Sequence, residues 1–235
     1  GGGEHLLVNL SDAQANDRVF LYNVDRSQVL DAQTVTNRPQ ARSRDHGGRW
    51  LYPRHSTPGQ SNEFEIEGSI VINEIMYHQR TTPGTLNTPP RENDEEWVEL
   101  FNRSATETVD LSGWSLSSGI EFTFIAGTQL GPGEYLVVAQ DPDAFLKQYS
   151  SLNRQNVLGP FSRRLSNSGE LIVLQDRNHN PVDEVHYQQD GRWAEFADGG
   201  GSSLELRDPW AKNHVPESWA ASDETSRSQW VTVSY

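Results

Sequence analysis

The stretch EEWVELFNRSATETVDLSGWSLSSGIEFTFIAGTQLGPGEYLVV, from Glu95 to Val138, decides the fold of this chain. It holds four short apolar runs separated by polar and glycine-rich residues. The first run, Glu96–Phe101, largely alternates apolar and polar side chains, as a half-buried strand does. No run repeats its apolar residues at the period of about 3.6 that is typical of a helix. The stretch therefore predicts an all-β core.

Turn and cap residues around this stretch support the same fold. The last two apolar runs are residues 122–124 and 135–138, and Gly131-Pro132-Gly133 lies between them. Pro132 fixes φ and Gly133 accepts a positive φ, which predicts a tight turn. Downstream, Asp141 is a good N-cap and Pro142 suits the first helical position. Residues 141–149 are therefore the one predicted helix, and it is short.

Composition excludes several classes of protein. The chain of 235 residues has a formal net charge of −14, which argues against binding to nucleic acid or to an anionic bilayer, since both require clustered Lys and Arg. It has no cysteine, so disulfides and thiolate metal sites are excluded. No apolar run reaches the roughly 18 residues of a membrane span, and we expect no membrane insertion.

Eight motifs, taken in order, resemble the lamin tail domain, most closely its bacterial members in secreted or surface proteins. They are VINEI (71–75), EWVELFN (96–102), VDLSGW (109–114), FTF (122–124), GPGEYLVV (131–138), LSNSGE (165–170), VDEV (182–185) and SLEL (203–206). The resemblance implies an immunoglobulin-like β-sandwich with one short helix, used for attachment or display. It offers no catalytic residues, and we expect the chain not to be an enzyme.

A weak internal repeat extends the prediction to the beginning of the chain. Residues 19–32 fall without gaps on residues 171–184, and both segments read as a strand, a polar turn and a strand with an Asp. We therefore expect a partial second β module over 1–62, equivalent to the C-terminal half of a lamin tail domain. A linker at 63–68 and a complete domain at 69–222 follow, and residues 223–235 read as the start of a further strand or module.

Half a sandwich cannot bury its inner face, and an unpaired edge invites association. Two explanations stay open at this point. Either the chain is an excerpt of a longer polypeptide, in which case any export signal lies outside it, or residues 1–62 pack against the complete domain.

Two acidic patterns are candidate metal sites. Asp176, Asn178 and Asn180 match the opening of a calcium loop, although Pro181 replaces its Gly, and a polar hairpin turn is the alternative. Glu74, Asp94, Glu95 and Glu99 could also supply oxygen ligands if adjacent strands bring them together. A solvated, like-charged edge that deters pairing between sheets is the alternative for this second set. We expect no cofactor, with calcium as the one possible exception.

Two further sets of residues are candidate binding groups. Trp193 and Trp210 lie in turn-rich stretches and could stack on sugar rings, whereas Trp97 and Trp114 lie in strand patterns and are predicted to be core residues. Arg42, Arg44 and Arg49 belong to the one basic patch, in a segment (37–62) that reads as irregular. They could bind an anion, or form ion pairs with the acidic main domain, or be solvated.

We expect a non-enzymatic structural, adhesion or spacer module of a large bacterial secreted or cell-surface protein, acting through protein–protein contacts. Its partners would be other modules of the same or neighbouring chains. The alternatives are a module that binds a cell-surface glycan or calcium, or an accessory domain of an enzyme encoded elsewhere in the same polypeptide.

Overall fold

The computed structural model describes residues 8, 10, 12–57, 59–81, 89 and 95–223. The chain divides into two compact units, residues 1–65 and 66–235. Among the described residues, no helix has both the length and the apolar character needed to cross a bilayer.

The first unit contains two small antiparallel sheets. Strand β1 (Arg18–Tyr22) pairs with β2 (Val29–Thr34), and β3 (Ala41–Arg42) pairs with β4 (Trp50–Leu51). The hairpin at 19–32 agrees with the sequence, but the expectation of a wholly irregular segment at 37–62 is wrong. The Ser43 N–H donates to the Arg49 carbonyl at 2.9 Å and the Gly48 N–H donates to the Ser43 carbonyl at 2.8 Å, which closes a short turn and brings the two strands together.

The second unit is a β-sandwich. Its strands are β5 (Ile70–Met76), β6 (Trp97–Asn102), β7 (Val109–Asp110), β8 (Ser115–Ser118), β9 (Phe122–Thr123), β10 (Gln129–Leu130), β11 (Tyr135–Ala139), β12 (Val157–Leu158), β13 (Glu170–Gln175), β14 (Pro181–Tyr187), β15 (Leu204–Leu206) and β16 (Trp219–Ala221). Its two layers are sheets with the orders β12-β11-β6-β5-β15-β16 and β14-β13-β8-β9, while β7 and β10 pair as a separate two-stranded sheet. All neighbours are antiparallel except β11 and β12.

The core lies between these two sheets. Val98 and Leu100 of β6 face Ile172 and Leu174 of β13 within one buried cluster, and all four are fully buried. Trp114 joins the same cluster, as predicted. Alternation of apolar and polar residues in the strands produces this arrangement, because successive side chains point to opposite faces of a sheet. The all-β, immunoglobulin-like sandwich is confirmed.

The predicted helix is present as α1 (Pro142–Gln148). The Asp141 carboxylate accepts hydrogen bonds from the backbone N–H groups of Asp143 (3.0 Å) and Ala144 (2.9 Å), which is the expected N-cap. The helix packs on the outer face of the six-stranded sheet, where Phe145 meets Trp97 edge-to-face at 5.7 Å. Trp97 is therefore buried as predicted, but beneath the helix and outside the main core.

Within the stretch from Glu95 to Val138, the apolar run at 111–116 is not a continuous strand. Residues 111–114 form a turn, in which the Trp114 N–H donates to the Leu111 carbonyl at 2.9 Å, and β8 begins only at Ser115. Gly113 has a φ of +75°, a conformation that glycine adopts without strain.

Strand β5 contains a β-bulge between Ile72 and Glu74 that frees one backbone donor. The Ile72 N–H donates to the carboxylate of Asp183, on β14, at 2.8 Å. The same carboxylate accepts two hydrogen bonds of 2.7 Å from the Asn213 side chain. Burial raises the pKa of Asp183, yet these donors satisfy its oxygens. A single carboxylate thus links a strand of each sheet.

Candidate interaction surface

Three glutamates form a row on the outer face of the six-stranded sheet. Because of the bulge, Glu74 on β5 lies opposite Glu99 on β6, and on its other side it lies opposite Glu205 on β15. Both neighbours of Glu99 (Val98, Leu100), both neighbours of Glu205 (Leu204, Leu206) and Ile75 after Glu74 belong to the core, so the three glutamates point away from it. Two of them, Glu74 and Glu99, were predicted candidates, whereas Glu205 was not.

Neighbouring polar groups hold the row in place. The Asn73 amide donates to Glu99 Oε1 at 3.0 Å, and the Ser203 hydroxyl donates to Glu74 Oε1. The pKa of Glu99 is raised to about 7, chiefly by burial and to a smaller extent by the charge of Glu205, while the Asn73 hydrogen bond opposes the shift. Near neutral pH, Glu99 is therefore poised between its neutral and charged forms.

An aromatic pair lies beside the row. Tyr135 on β11 is opposite Phe101 on β6, and their ring centroids are 4.5 Å apart. Tyr135 is 50% exposed. The pKa of Tyr135 is raised, first by partial burial and then by the charges of Glu99, Glu205 and Glu74. We call these five residues, Glu74, Glu99, Phe101, Tyr135 and Glu205, the acidic face.

The acidic face is a row of carboxylates and not a cage around an ion. In the described part of the chain, no group of three or more His, Cys, Asp or Glu side chains converges closely enough to hold a metal. Of the other predicted acidic ligands, Glu95 accepts a hydrogen bond from the Gln79 amide at 2.9 Å. Asp94 lies outside the described residues.

The second acidic pattern forms a hairpin turn between β13 and β14. Asp176 Oδ1 accepts from the backbone N–H groups of Asn178 (2.7 Å) and Asn180 (2.8 Å), and Oδ2 accepts from the Asn180 side chain. Asp176 and Asn180 are buried. Both carboxylate oxygens face N–H donors, so these residues stabilise the turn, which is the alternative that the sequence allowed.

The two candidate tryptophans have different surroundings. Trp193 is half-buried and packs against the main core, with its ring centroid 6.3 Å from that of the buried Trp219, so only part of its ring faces solvent. Trp210 is 68% exposed. The Arg103 guanidinium lies 5.0 Å from the ring centroid of Trp210 and donates to the Pro209 carbonyl. Trp210 is therefore an exposed aromatic ring with a positioned cation against it.

The candidate arginines lie together around the β3–β4 hairpin of the first unit. Arg42 donates to Asp31 at 2.6 Å, and its guanidinium lies 5.5 Å from the Trp50 ring centroid. Arg44 and Arg49 are exposed residues of the connecting turn. The ion pair of Arg42 is therefore made within its own unit and not with the acidic main domain.

Sequence reasoning missed a polar site at the end of β5. His78 Nδ1 lies 2.5 Å from an Asp198 carboxylate oxygen. Nearby, a cavity of about 240 Å³ is lined by Tyr77, His78, Gln79, Glu96, Arg164, Leu165 and Asn167. Inside it the buried Glu96 carboxylate accepts the Leu165 N–H at 2.7 Å. No sequence motif joins His78 to Asp198, since the two residues are far apart along the chain.

Comparison with known families agrees with this sandwich. Residues 65–189, more than half of the chain, match the family model of the lamin tail domain. The chain belongs to the lamin tail domain family. Among curated proteins, none matched the chain at a significant level.

Membership of the lamin tail family sets the general kind of activity. Lamin tail domains are immunoglobulin-like, non-catalytic modules that typically mediate protein interactions. Such modules bind through groups exposed at their surface. On the outer face of the six-stranded sheet, the acidic face combines an exposed carboxylate, Glu205, with an exposed aromatic ring, Tyr135.

Proposed function

We propose that the chain is a structural, adhesion or spacer part of a large bacterial secreted or cell-surface protein, and that it acts through protein–protein contacts on the acidic face. Its partners are other protein modules of the same or neighbouring chains. This role follows the general activity of the lamin tail family, and no catalytic group is needed for it.

The observation that carries the proposal is the composition of the acidic face. Helix α1 covers one part of the outer sheet surface, while Tyr135 and Glu205 remain exposed beside it. Aromatic side chains are enriched at the centres of protein interfaces, and complementary charge selects the partner. A partner that presents Arg or Lys next to an apolar side chain fits this surface.

Site-specific photocrosslinking tests the acidic face. A photoreactive amino acid at position 205 in the native host should capture a discrete protein partner. The same amino acid at Ile125, which is 74% exposed and outside the acidic face, is the matched control. Equal capture at both positions, or no capture at position 205, would contradict the proposal.

The size and location of the native polypeptide test the surface role. Antibody detection after cell fractionation should reveal a band far above the 26.4 kDa of this chain, in the envelope or the medium. A band of 26 kDa in the soluble fraction would overturn this part of the proposal.

We also propose that residues 1–62 are the C-terminal half of a second lamin tail module. Asp31 and Asp183 occupy the same place in the two hairpins when β2 is aligned with β14. Each accepts hydrogen bonds from a side chain of a later segment, Arg42 in one case and Asn213 in the other. The two hairpins thus share both their strand pattern and an anchoring carboxylate.

A glycan-binding role is the second candidate, and Trp210 favours it. Its exposed ring next to Arg103 suits stacking on a sugar that carries a carboxylate. Titration with uronic-acid oligosaccharides should quench tryptophan fluorescence in the wild-type chain and not in Trp210→Ala. The same quenching in both proteins would exclude this site, and calcium can be screened in the same titration.

A further inference from the structure

The β1–β2 hairpin has the same pairing as β13–β14, residue by residue. Arg18 pairs with Thr34 as Leu171 pairs with His186, and Leu21 pairs with Asp31 as Leu174 pairs with Asp183. Both hairpins have their irregularity at the same step, between Leu21 and Tyr22 in one and between Leu174 and Gln175 in the other. The two hairpins thus share the position of their bulge as well as the strand and turn pattern of the sequence repeat.

The strand pairing shows that the repeat contains a one-residue gap, whereas the sequence alone indicated a gapless alignment. Strand β2 aligns with β14 at an offset of 152, as expected, but β1 aligns with β13 at 153. The difference lies in the turn, which spans 23–28 in the first hairpin and 176–180 in the second. One additional residue in a surface turn leaves the strand pairing unchanged.

Equivalent positions are buried very differently. Ile172 and Leu174 of β13 are both 0% exposed in the sandwich core. Leu21, the counterpart of Leu174, is 60% exposed, and Val19, the counterpart of Ile172, is half-buried. Further large apolar side chains on the hairpin are also exposed, namely Phe20, Tyr22, Val29 and Leu30. Apolar exposure on this scale marks an interaction surface.

The edges of the two strands differ as well. In the sandwich, the second edge of β13 pairs with β8, so that Leu174 lies opposite Leu116 and Ile172 opposite Ser118. In the described residues of the first unit, β1 pairs only with β2. Its other edge therefore presents backbone donors and acceptors at the position where β13 receives a strand.

We propose that this edge and the apolar face beside it bind the opening strands of a lamin tail module, carried by a partner segment, with a β8-type strand pairing antiparallel to β1. This inference rests on the proposal that residues 1–62 are half of such a module. The β8–β13 interface of this chain specifies the contact: Leu21 meets the position of Leu116, and Val19 that of Ser118. The occupant is thus a strand with the pattern of β8, Ser115–Ser118, added by β-augmentation.

A tethered strand tests the docking directly. A copy of residues 111–125, which span β8 and β9, is joined through a flexible Gly/Ser linker of about 15 residues ahead of the full chain, which gives an effective concentration in the millimolar range. Amide hydrogen exchange at residues 19–22 should slow at least tenfold relative to the untethered chain. A scrambled tether should leave exchange unchanged.

Paired variants separate specific docking from general stickiness. In the tethered protein, Leu21→Lys should remove the protection, because it places a charge where Leu116 would pack. Val24→Lys adds the same charge in the turn, where the side chain is already fully exposed, and should keep the protection. Protection that survives Leu21→Lys would overturn the proposed face.

The remaining outcomes also decide the matter. If residues 19–22 are already protected from exchange in the untethered monomer, the rest of the chain is the occupant. If they are protected only in a dimer that forms at high concentration, a second copy is the occupant. No protection with the tether would exclude a β8-type strand. These readouts do not depend on crosslinking at position 205 or on the native band size, so the surface role and the docking site can fail separately.

Discussion

At the scale of single residues, two carboxylates determine how the sandwich responds to pH and to truncation. Glu99 is held on a like-charged sheet surface, where burial raises its pKa, and Asp183 is held between the sheets by three hydrogen bonds. The first residue costs stability when it is charged. The second residue supplies stability, because it satisfies a donor that the bulge in β5 leaves without a strand partner.

The raised pKa of Glu99 predicts the sign of a pH dependence. Between its ordinary value of 4.5 and its folded value of about 7, the folded chain keeps a proton that the unfolded chain has lost. The contribution of Glu99 to the free energy of unfolding therefore falls as the pH rises through this window and is level above it.

Glu99→Gln should abolish this contribution and make the chain more stable than wild type at pH 8, by at most about 3 kcal/mol. Urea denaturation from pH 4.5 to 8 measures the effect, with Glu107→Gln, an exposed residue, as the control. A wild-type profile that runs parallel to that of the variant would contradict the assignment.

Truncation of Asp183 should be costly. Asp183→Ala leaves the buried Ile72 N–H and the Asn213 amide without their acceptor, and we expect a loss of about 2 kcal/mol or more in the free energy of unfolding. Asp183→Asn keeps an acceptor oxygen and should lose less. The control is Asp190→Ala, at an exposed position, and equal effects at both positions would refute the role of the carboxylate.

At the scale of elements, α1 acts as a cover for one part of the outer sheet surface. Phe145 and Trp97 are each 5% exposed at the centre of the cluster that joins helix and sheet. Without the helix, this part of the surface would be apolar and open. Its packing therefore limits the exposed part of this sheet to the region that includes the acidic face.

Phe145→Ala should detach the helix from the sheet. The expected cost is about 3 kcal/mol, since a large aromatic side chain leaves a buried site. Chemical denaturation measures it, and hydrogen exchange in residues 142–148 should speed up at the same time. Lys147→Ala, on the exposed side of the same helix, should change neither quantity.

Local patterns predicted the elements, but not all of their partners. Alternation indicated β6, and the Asp141-Pro142 pair indicated α1, because both signals lie within a few neighbouring residues. The place of Glu205 in the acidic face depends on pairing between β15 and β5, and that of Glu74 on a bulge. The contact between His78 and Asp198 likewise joins residues that only the tertiary fold brings together.

At the scale of the whole molecule, the sandwich has its own complete core, whereas the described residues of the first unit form two small hairpins. We therefore expect residues 66–235 alone to melt within a few degrees of the full chain. Calorimetry of the two proteins measures this. A large drop on deletion of residues 1–65 would support the alternative that the first unit packs against the complete domain.

The order of strands in the six-stranded sheet also determines its response to mechanical force. Strand β5 enters the sheet at Ile70, and β16 leaves the sheet at Ala221. Ala221 and Ile75 both pair with Leu204, so Ala221 lies level with the end of β5 that is opposite to Ile70. A pull applied at residues 66 and 223 runs along the strands, and interstrand hydrogen bonds lie perpendicular to the strands. The bonds of β15 to its two neighbours would be loaded together in shear and not opened one at a time, so the sandwich would bear tension as a unit.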